Sequence, residues 1–347
     1  MESTKIAVTC YRGMRIALFS STSYDQEYFE TANEDKQFDI THFEARLRKR
    51  TAHLAAGFDA VIVFVNDEID SDTLAILKEH SVSIVALRCA GFNNVDLEAA
   101  AGAGIKVVRV PAYSPQAVAE HALALILTLN RKTHKAYNRV REGNFSLERL
   151  TGFNLAGKTV GVIGTGKIGA AFASMMSGMG CRILASDTYP DQTLRKEGLK
   201  YVDLEELLSR SDIISLHCPL TPETTYLINE DTLKRMKPGV MLINTSRGAL
   251  VKTNDVIASL KKRHLGYLGI DVYEQEEKLF FRDRSEQILQ DDEIARLMSF
   301  PNVLITAHQA FLTSEALEQI AATTLENLSA FHKGKQLINE VKAPKEG

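Results

Sequence analysis

Residues 158–187 read KTVGVIGTGKIGAAFASMMSGMGCRILASD, and the fold of the surrounding chain follows from this stretch. It opens with an apolar, β-branched run over residues 159–163, which predicts a buried strand. Residues 168–179 have helical periodicity and are rich in Ala and Met. A second apolar run over residues 181–186 predicts another strand and ends in Asp187. The order strand, turn, helix, strand is typical of a parallel βαβ unit.

Three glycines join the first strand to the helix. Gly164, Gly166 and Gly169 follow the strand directly as G-x-G-x-x-G. The first permits a tight turn, the second lets a pyrophosphate approach the backbone, and the third lets the helix pack closely on the strand. The start of the helix presents free N–H groups and a positive dipole end to the phosphates. In this setting the motif predicts a dinucleotide site.

Asp187 stands where a carboxylate would accept hydrogen bonds from the ribose hydroxyls of the adenosine half. The next residues are Thr188, Tyr189 and Pro190, with no Arg to receive a 2′-phosphate. The sequence therefore predicts NAD rather than NADP as the cofactor.

Composition excludes several other classes of protein. The chain has 347 residues, of which 45% are hydrophobic and 24% are charged, which is ordinary for a globular protein of two domains. A net charge of −3 gives no reason to expect a nucleic-acid partner. No run approaches the ~20 apolar residues of a membrane span, and the N-terminus lacks a signal-peptide profile, so no membrane association is expected. Residues 1–13 are interpreted as an extension.

The four cysteines are far apart and form neither C-x-x-C nor a metal-ligand spacing: Cys10, Cys89, Cys181 and Cys218. Reduced thiols in a cytoplasmic protein without a metal site are the natural interpretation. Cys218 beside His217 could suggest a nucleophile pair. Adjacent strand residues point to opposite faces, however, so this alternative is disfavoured.

Two α/β segments are predicted. In the first, strands alternate with helical stretches over 73–80 and 96–103, and the strands lie at 15–20, 60–65, 84–88 and 105–110. An apolar helix follows over 117–131 and would suit an inter-domain or subunit contact. After Asp187 the nucleotide half continues to six strands, the last four at 213–216, 240–244, 265–270 and 303–305. A final amphipathic helix covers 314–331.

Polar residues follow the strands of the nucleotide half, where ligands of such sheets bind. A hydride-transfer site needs a group that moves a proton and a group that holds the substrate. His308 can shuttle a proton, Glu276 can favour its charged form, and Arg247 offers a fork for a carboxylate. Each residue alone has a plain structural alternative, but their joint placement at strand ends favours catalysis.

The chain resembles the D-isomer-specific 2-hydroxyacid dehydrogenases over residues 14–337. The resemblance lies in seven runs: RCAGFNNVD (88–96), VPAYSP (110–115), GTGKIG (164–169), LHCPLTPET (216–224), INTSRGALV (243–251), GIDVYEQE (269–276) and TAHQAF (306–311). It implies two α/β domains, a flavodoxin-like parallel-sheet substrate domain and an inserted Rossmann-type NAD domain. The bounds expected for them are 1–112 with 311–347, and 113–310.

The resemblance also implies roles for individual residues. His308 is the expected proton donor, Glu276 its carboxylate partner, and Arg247 the group that binds and polarises the 2-keto acid. The expected substrate-binding residues are Ala90, Gly91, Tyr113, Arg247 and Phe311. The expected NAD-binding residues are Gly164, Gly166, Lys167, Ile168, Gly169, Asp187, Cys218, Pro219, Thr245, Ser246 and Asp271, with Asp271 against the nicotinamide carboxamide.

The implied reaction is the NADH-dependent reduction of a small 2-keto acid, with pyruvate and D-lactate as the expected pair because Tyr113 and Phe311 should shorten the pocket. Two alternatives stay open: a related dehydrogenase for phosphoglycerate or a branched acid, and an NAD-sensing regulatory protein. A phosphorylated substrate would need extra cations near residues 88–113, where only Arg88, Lys106 and Arg109 occur. A homo-oligomer is expected, a dimer at minimum and a tetramer if two dimers pair, because the helix over 117–128 is apolar around most of its circumference.

Overall fold

The computed structural model describes residues 13–343 except 36, 197, 277–278 and 282, so the proposed extension and Cys10 lie outside the described residues. The chain divides into two compact units, Met1–Tyr113 with Thr313–Gly347, and Ser114–Leu312. The junctions therefore follow Tyr113 and Leu312, against the predicted 112 and 310. No helix in the described part of the chain is long and apolar enough to cross a bilayer.

Twelve strands and twelve α-helices lie within the described residues. The strands are β1 Met14–Leu18, β2 Phe38–His42, β3 Ala60–Val63, β4 Ile84–Leu87, β5 Lys106–Arg109, β6 Thr159–Ile163, β7 Arg182–Ser186, β8 Lys200–Tyr201, β9 Ile213–Leu216, β10 Val240–Asn244, β11 Leu265–Ile270 and β12 Val303–Ile305. The helices are α1 Ser23–Ala32, α2 Ser71–Glu79, α3 Leu97–Ala103, α4 Pro115–Arg131, α5 Thr133–Arg141, α6 Lys167–Gly178, α7 Gln192–Lys196, α8 Leu204–Arg210, α9 Glu230–Arg235, α10 Thr253–Lys261, α11 Asp292–Met298 and α12 Ser314–His332.

The first unit is built on a five-stranded parallel sheet in the order β2-β1-β3-β4-β5. This is the flavodoxin-like strand order, so the predicted flavodoxin-like parallel sheet is confirmed. The inner strands β3 and β4 are buried throughout, as their unbroken apolar sequences require. The C-terminal helix α12 buries Ala321, Leu325 and Leu328 in the same core as β1, β3 and β4. Both ends of the chain therefore contribute to one core.

The prediction missed strand β2. It pairs only with β1 and forms an edge of the sheet, and of its five residues only Phe38 is buried. The intervening Asp39 and Thr41 gave no apolar run to recognise. An edge strand needs only one apolar face, so its hydrophobic signal is weak.

The second unit contains a seven-stranded parallel sheet in the order β12-β11-β10-β9-β6-β7-β8. Numbered from β6, this is the Rossmann order 3-2-1-4-5-6 with a seventh strand added beside the sixth. The expected Rossmann-type fold is confirmed, but the predicted count of six strands was wrong. The strand that the prediction missed is β8, the third in this numbering, which consists of Lys200 and Tyr201 at the edge of the sheet and is too short to show periodicity.

Helix α4 packs on the sheet of its own unit. Leu125, Ile126 and Leu129 lie in one core cluster with Val160 and Phe172 of β6 and α6. A stripe of exposed positions at 116, 120 and 124 runs along its outer side. The apolar character of α4 is therefore explained within one unit, and the helix by itself does not require a subunit contact.

Candidate active site

The glycine turn after β6 has the geometry that a phosphate needs. Gly164 has φ +90°, and a Cβ there would lie 2.6 Å from the backbone nitrogen of Cys218. At Gly169 a Cβ would lie 1.9 Å from the Gly164 carbonyl oxygen, so both positions require glycine. A Cβ at Gly166 would meet nothing within 4 Å. Gly166 is also the N-cap of α6 and has no side chain to cap the first N–H groups of the helix, so these groups are left for an anion in the open space beside Gly166.

Lys167 and Ile168 form the first turn of α6, next to that open space, with Lys167 exposed and Ile168 partly buried. Both predicted cofactor residues are thus at the phosphate end of the helix. Their contact with a cofactor stays a prediction.

Asp187 directly follows the last residue of β7 and is bound to the glycine turn. One of its carboxylate oxygens accepts the N–H of Thr165 at 2.6 Å and its hydroxyl at 3.0 Å, and the other accepts the N–H of Tyr189 at 2.8 Å. The Tyr201 hydroxyl donates to Thr165 Oγ1 at 2.9 Å. Thr165 and Tyr201 were missed from sequence, since Thr165 is a variable position of the glycine motif and Tyr201 lies in a two-residue strand that carries no signal.

The pair His217 and Cys218 is not a nucleophile site. His217 Nε2 lies 2.9 Å from the Ser215 hydroxyl, and burial lowers the pKa of His217 to about 3. Burial also raises the pKa of the Cys218 thiol to about 11. A neutral imidazole beside a protonated thiol cannot form the ion pair that activates such a nucleophile. Pro219, the next predicted cofactor residue, is exposed.

Thr245, Ser246 and Arg247 follow β10. Thr245 is buried, and its hydroxyl oxygen has no hydrogen-bond partner among the described residues. Ser246 Oγ donates to the Cys218 carbonyl at 2.7 Å and so joins the ends of β9 and β10. An orphaned buried hydroxyl at a strand end fits a site that a polar cofactor completes.

The backbone around Arg247 is fixed on both sides. Asn244 Nδ2 donates to the Arg247 carbonyl at 2.8 Å, and Arg247 Nη1 donates to the Ser246 carbonyl at 2.7 Å. At the following Gly248, a Cβ would lie 2.1 Å from the carbonyl carbon of Tyr273. The segment of Arg247 therefore packs directly against the turn that leads to Glu276.

Glu276 and His308 form a contact pair. His308 Nδ1 lies 2.8 Å from Glu276 Oε1, and the other oxygen of Glu276 accepts the Tyr273 N–H at 2.9 Å. Both side chains are mostly buried, since His308 is 17% exposed and Glu276 is 19% exposed. The described residues place no hydrogen bond or ion pair between Arg247 and either member of the pair. The prediction that Glu276 and His308 lie together agrees with this geometry, while their roles stay predictions.

Asp271 organises the loop that presents His308. Its two carboxylate oxygens accept the N–H groups of Gln309 at 2.9 Å and Ala310 at 2.8 Å, and its carbonyl accepts the His308 N–H at 2.7 Å. His308 itself has φ +55°, a conformation that these bonds hold in place. Asp271 was predicted to contact the nicotinamide carboxamide, which stays a prediction, since its carboxylate already binds its own loop.

His121 of α4 is linked to Asp271 through the Thr306 hydroxyl. Thr306 Oγ1 donates to Asp271 Oδ1 at 2.5 Å and lies 3.0 Å from His121 Nε2. Because the one hydroxyl hydrogen goes to the carboxylate, His121 Nε2–H must be the donor to Thr306. Burial by itself raises the pKa of Asp271, but the hydrogen bonds outweigh it and the pKa lies below its ordinary value. His121 was not predicted because 185 residues separate it from Thr306.

The remaining predicted substrate residues are divided between the two units. Ala90 and Gly91 follow β4 in the first unit, where Arg109 Nη1 donates to the Ala90 carbonyl at 2.7 Å. Tyr113 is partly buried at the end of that stretch, and Phe311 is buried in the second unit. In the described part of the chain, no cluster of three or more His, Cys, Asp or Glu side chains could hold a metal ion.

Comparison with known proteins decides the family. Residues 123–310 match the model of the D-isomer specific 2-hydroxyacid dehydrogenase, NAD binding domain. The D-lactate dehydrogenase of Escherichia coli is 53% identical over 94% of this chain and 100% of its own length. This chain belongs to the D-isomer-specific 2-hydroxyacid dehydrogenases. The dehydrogenase is therefore an NAD-dependent oxidoreductase, as its sequence predicts.

Solved structures extend the likeness of this dehydrogenase to the whole fold. The pyruvate reductase of Chlamydomonas reinhardtii has a TM-score of 0.90 at 44% identity, covering 94% of this chain and 98% of that one. D-lactate dehydrogenase from Aquifex aeolicus, complexed with NAD and lactic acid, has a TM-score of 0.83 at 34% identity, covering 95% and 100%. The glycine turn, the open N-terminus of α6 and the orphaned Thr245 hydroxyl fit NAD in this dehydrogenase.

Proposed function

We propose that this dehydrogenase reduces pyruvate to D-lactate with NADH, and that His308 is the acid–base group. The contact of His308 Nδ1 with Glu276 Oε1 at 2.8 Å carries the proposal. A carboxylate only accepts, so Nδ1 holds a hydrogen and Nε2 is the nitrogen left to exchange a proton with substrate. High identity to a D-lactate dehydrogenase over nearly the full chain supports the choice of substrate.

The residues divide the chemistry between them. When bound, NADH supplies a hydride to the carbonyl carbon of pyruvate. His308 donates the proton from Nε2 to the carbonyl oxygen, so a C–H bond and an O–H bond replace the C=O π bond. Glu276 stabilises the imidazolium before transfer, and the Arg247 guanidinium holds the substrate and stabilises charge that develops on its oxygen. The N–H groups of Ala90 and Gly91 receive the carboxylate.

We assign the pyrophosphate to the glycine turn and the first turn of α6, with Lys167 and Ile168, and the adenosine ribose to Asp187. Cys218, Pro219, Thr245, Ser246 and Asp271 border the rest of the cofactor. In this assignment the unit Ser114–Leu312 binds NAD.

The cationic side chains within residues 88–113 argue against a phosphorylated substrate. Arg88 is buried against Asp25 at 3.0 Å, Lys106 pairs with Glu340 at 2.9 Å, and Arg109 binds the Ala90 carbonyl. Each cation already has a partner, so none of the three is reserved for a phosphate.

A steady-state assay tests the function. Pyruvate, 2-ketoisocaproate and phosphohydroxypyruvate are each supplied with NADH, and the chirality of the product is determined enzymatically. We expect the highest kcat/KM with pyruvate and D-lactate as the product. A higher value with a larger acid would indicate a related dehydrogenase, and no turnover with any of the three would favour a regulatory protein.

We also propose a homo-oligomer with a dimer as the minimum unit and a tetramer as the alternative. Exposed apolar side chains cluster in sequence on α5 and the segment after it: Tyr137 61%, Val140 51%, Phe145 75% and Leu147 81% exposed. Clustered exposure of apolar side chains in a single subunit is typical of a surface that another subunit covers in the assembly. Sedimentation velocity at micromolar concentration should give a dimer or larger species, and Phe145→Ser with Leu147→Ser should weaken it. A monomer in the unmodified protein would contradict the proposal.

A cytoplasmic location is proposed because two buried cysteines are free thiols, Cys181 and Cys218, as in a reducing compartment. Fractionation of the producing cell with a cytoplasmic marker enzyme tests this. Recovery with a membrane or secreted fraction would contradict it.

A further inference from the structure

We propose that Arg109 is a positioning residue for the substrate carboxylate, acting on the Ala90–Gly91 peptide from the side opposite the substrate. The inference rests on the proposed function, since it assumes that the N–H groups of this segment receive a carboxylate. It assigns a role to a residue outside the Arg247–Glu276–His308 set.

The central contact is a single charge-assisted hydrogen bond. Arg109 Nη1 donates to the Ala90 carbonyl oxygen at 2.7 Å. A trans peptide is planar, so the carbonyl of Ala90 and the N–H of Gly91 point in opposite directions. By holding the carbonyl on one side, Arg109 directs the Gly91 N–H to the other. A cationic donor also polarises the peptide and makes that N–H a stronger donor to an anion.

The guanidinium has a second contact on the same segment. It lies over the Phe92 ring, 5.0 Å from the ring centroid. A guanidinium plane on an aromatic face is a geometry that Lys cannot reproduce. Arg109 therefore binds the segment through both the backbone of Ala90 and the side chain of Phe92.

The segment that carries Ala90 and Gly91 runs from residue 88 to residue 94, and other groups fix both of its ends. At its start, Arg88 is 2% exposed, donates to the Ser20 carbonyl at 2.8 Å and pairs with Asp25. At its end, Asn94 Nδ2 donates to the carbonyls of Phe64 and Asp67, each at 2.9 Å. These contacts hold the flanks, and the Arg109 side chain is the cation that binds the backbone between them.

Arg109 is itself held by the C-terminal part of the first unit. Its N–H donates to the Asn339 carbonyl at 3.1 Å, and its carbonyl accepts Asn327 Nδ2 at 3.0 Å. Asn339 Nδ2 donates in turn to Asn327 Oδ1 at 2.8 Å. Because the backbone of Arg109 is fixed from two elements, its side chain can transmit a defined orientation to the Ala90–Gly91 peptide.

The test compares two substitutions of Arg109 with a matched control. Arg109→Met keeps an unbranched stem but removes the donor and the charge, and Arg109→Lys keeps the charge alone. Arg296→Met is the control, because Arg296 is exposed and stacks on Phe300 at 4.9 Å, a geometry similar to that of Arg109 on Phe92. The measurements are KM and kcat for pyruvate, the Kd of oxamate for the NADH complex, the Kd of NADH, and Tm.

We expect Arg109→Met to raise both the pyruvate KM and the oxamate Kd by about tenfold, which corresponds to about 1.4 kcal/mol. The kcat should fall much less, the Kd of NADH should stay unchanged, and Arg109→Lys should restore part of the loss. A merely structural role would lower Tm and kcat together without selecting the carboxylate ligand. Wild-type KM and oxamate Kd in Arg109→Met would overturn the proposal.

A second variant and a second substrate distinguish failure of the Arg109 proposal from failure of the pyruvate assignment. If Arg109→Met does not fold, Phe92→Leu removes the ring beneath the guanidinium, and an unchanged KM and oxamate Kd in that variant would overturn the proposal. If the unmodified enzyme prefers another 2-keto acid, the pyruvate assignment fails, but the KM of that acid tests Arg109 equally well because it carries the same carboxylate. No turnover of any 2-keto acid would overturn both.

Discussion

His308 Nδ1 lies 2.8 Å from Glu276 Oε1, while the second oxygen of Glu276 accepts the Tyr273 N–H at 2.9 Å. The carboxylate is therefore held by the backbone before it meets the imidazole. Its orientation leaves one ring nitrogen for the substrate and fixes which one it is. The pH dependence of the reaction follows from this arrangement.

Glu276→Gln should shift the pH profiles of both directions to lower pH. Reduction needs protonated His308 and is lost as pH rises, while lactate oxidation needs the neutral imidazole and gains over the same range. Removing the adjacent negative charge makes the imidazolium less stable, so both transitions should move to lower pH. Steady-state rates from pH 5 to 9 measure this. Glu286→Gln is the control in the same acidic stretch, and an unmoved profile in Glu276→Gln would remove Glu276 from proton transfer.

Arg247→Lys should damage catalysis although the charge is kept. An ammonium cannot grip a planar carboxylate or keto acid with two parallel donors. We expect kcat/KM to fall by about a hundredfold, the equivalent of about 2.7 kcal/mol, with the Kd of NADH nearly unchanged. Arg210→Lys, on the exposed face of α8, should leave both values unaltered. Full activity in Arg247→Lys would contradict the assigned role.

Asp187→Ser should narrow the preference for NADH over NADPH. The carboxylate repels a 2′-phosphate, so its removal should improve the use of NADPH. Asp187 also holds the Thr165 N–H at 2.6 Å, and its loss should loosen the glycine turn and raise the KM for NADH. The KM values for NADH and for NADPH are measured for Asp187→Ser and for Asp191→Ser, a neighbouring control. Equal use of both cofactors by the unmodified enzyme would refute the assignment.

Gly248→Ala should destabilise the protein and impair catalysis together. Its Cβ would lie 2.1 Å from the Tyr273 carbonyl carbon, so backbone must move in the turn that carries Glu276. We expect a loss of about 2–4 kcal/mol in the free energy of unfolding. At Gly178 a Cβ meets nothing within 4 Å, and Gly178→Ala should be neutral or slightly stabilising. Urea unfolding measures the free energy of unfolding of both variants. Equal values for Gly248→Ala and Gly178→Ala would show that the turn at Gly248 accommodates the added methyl group.

Cys218 should resist alkylation. With a pKa raised to about 11 by burial, about one thiol in a thousand is thiolate at pH 8. Iodoacetamide labelling followed by mass spectrometry should therefore be slow in the native protein and fast in urea. Rapid native labelling at Cys218 would mean that the thiol is exposed or activated, and the nucleophile pair with His217 would have to be reconsidered.

The sequence predicts buried elements better than edges and long-range contacts. The bounds of β6, β9 and β10 were right because each is a mostly apolar run in the middle of the sheet. Strands β2 and β8 were missed because an edge strand can be polar or very short.

The site divides in the same way. Residues carried by a motif, such as Glu276 and His308, lie together as expected. The contacts of His121 with Thr306 and of Arg109 with Ala90 could not be predicted, because no local pattern marks a hydrogen bond between distant segments.

Helix α12 has a consequence for the order in which the two units fold during synthesis. Ala321, Leu325 and Leu328 complete the core of the first unit, yet they leave the ribosome after the whole of the unit Ser114–Leu312. The unit that begins second along the chain can therefore finish folding first. Until α12 emerges, the strands of the N-terminal sheet must wait with part of their apolar surface uncovered, which is a stage at which chaperones would engage the nascent chain.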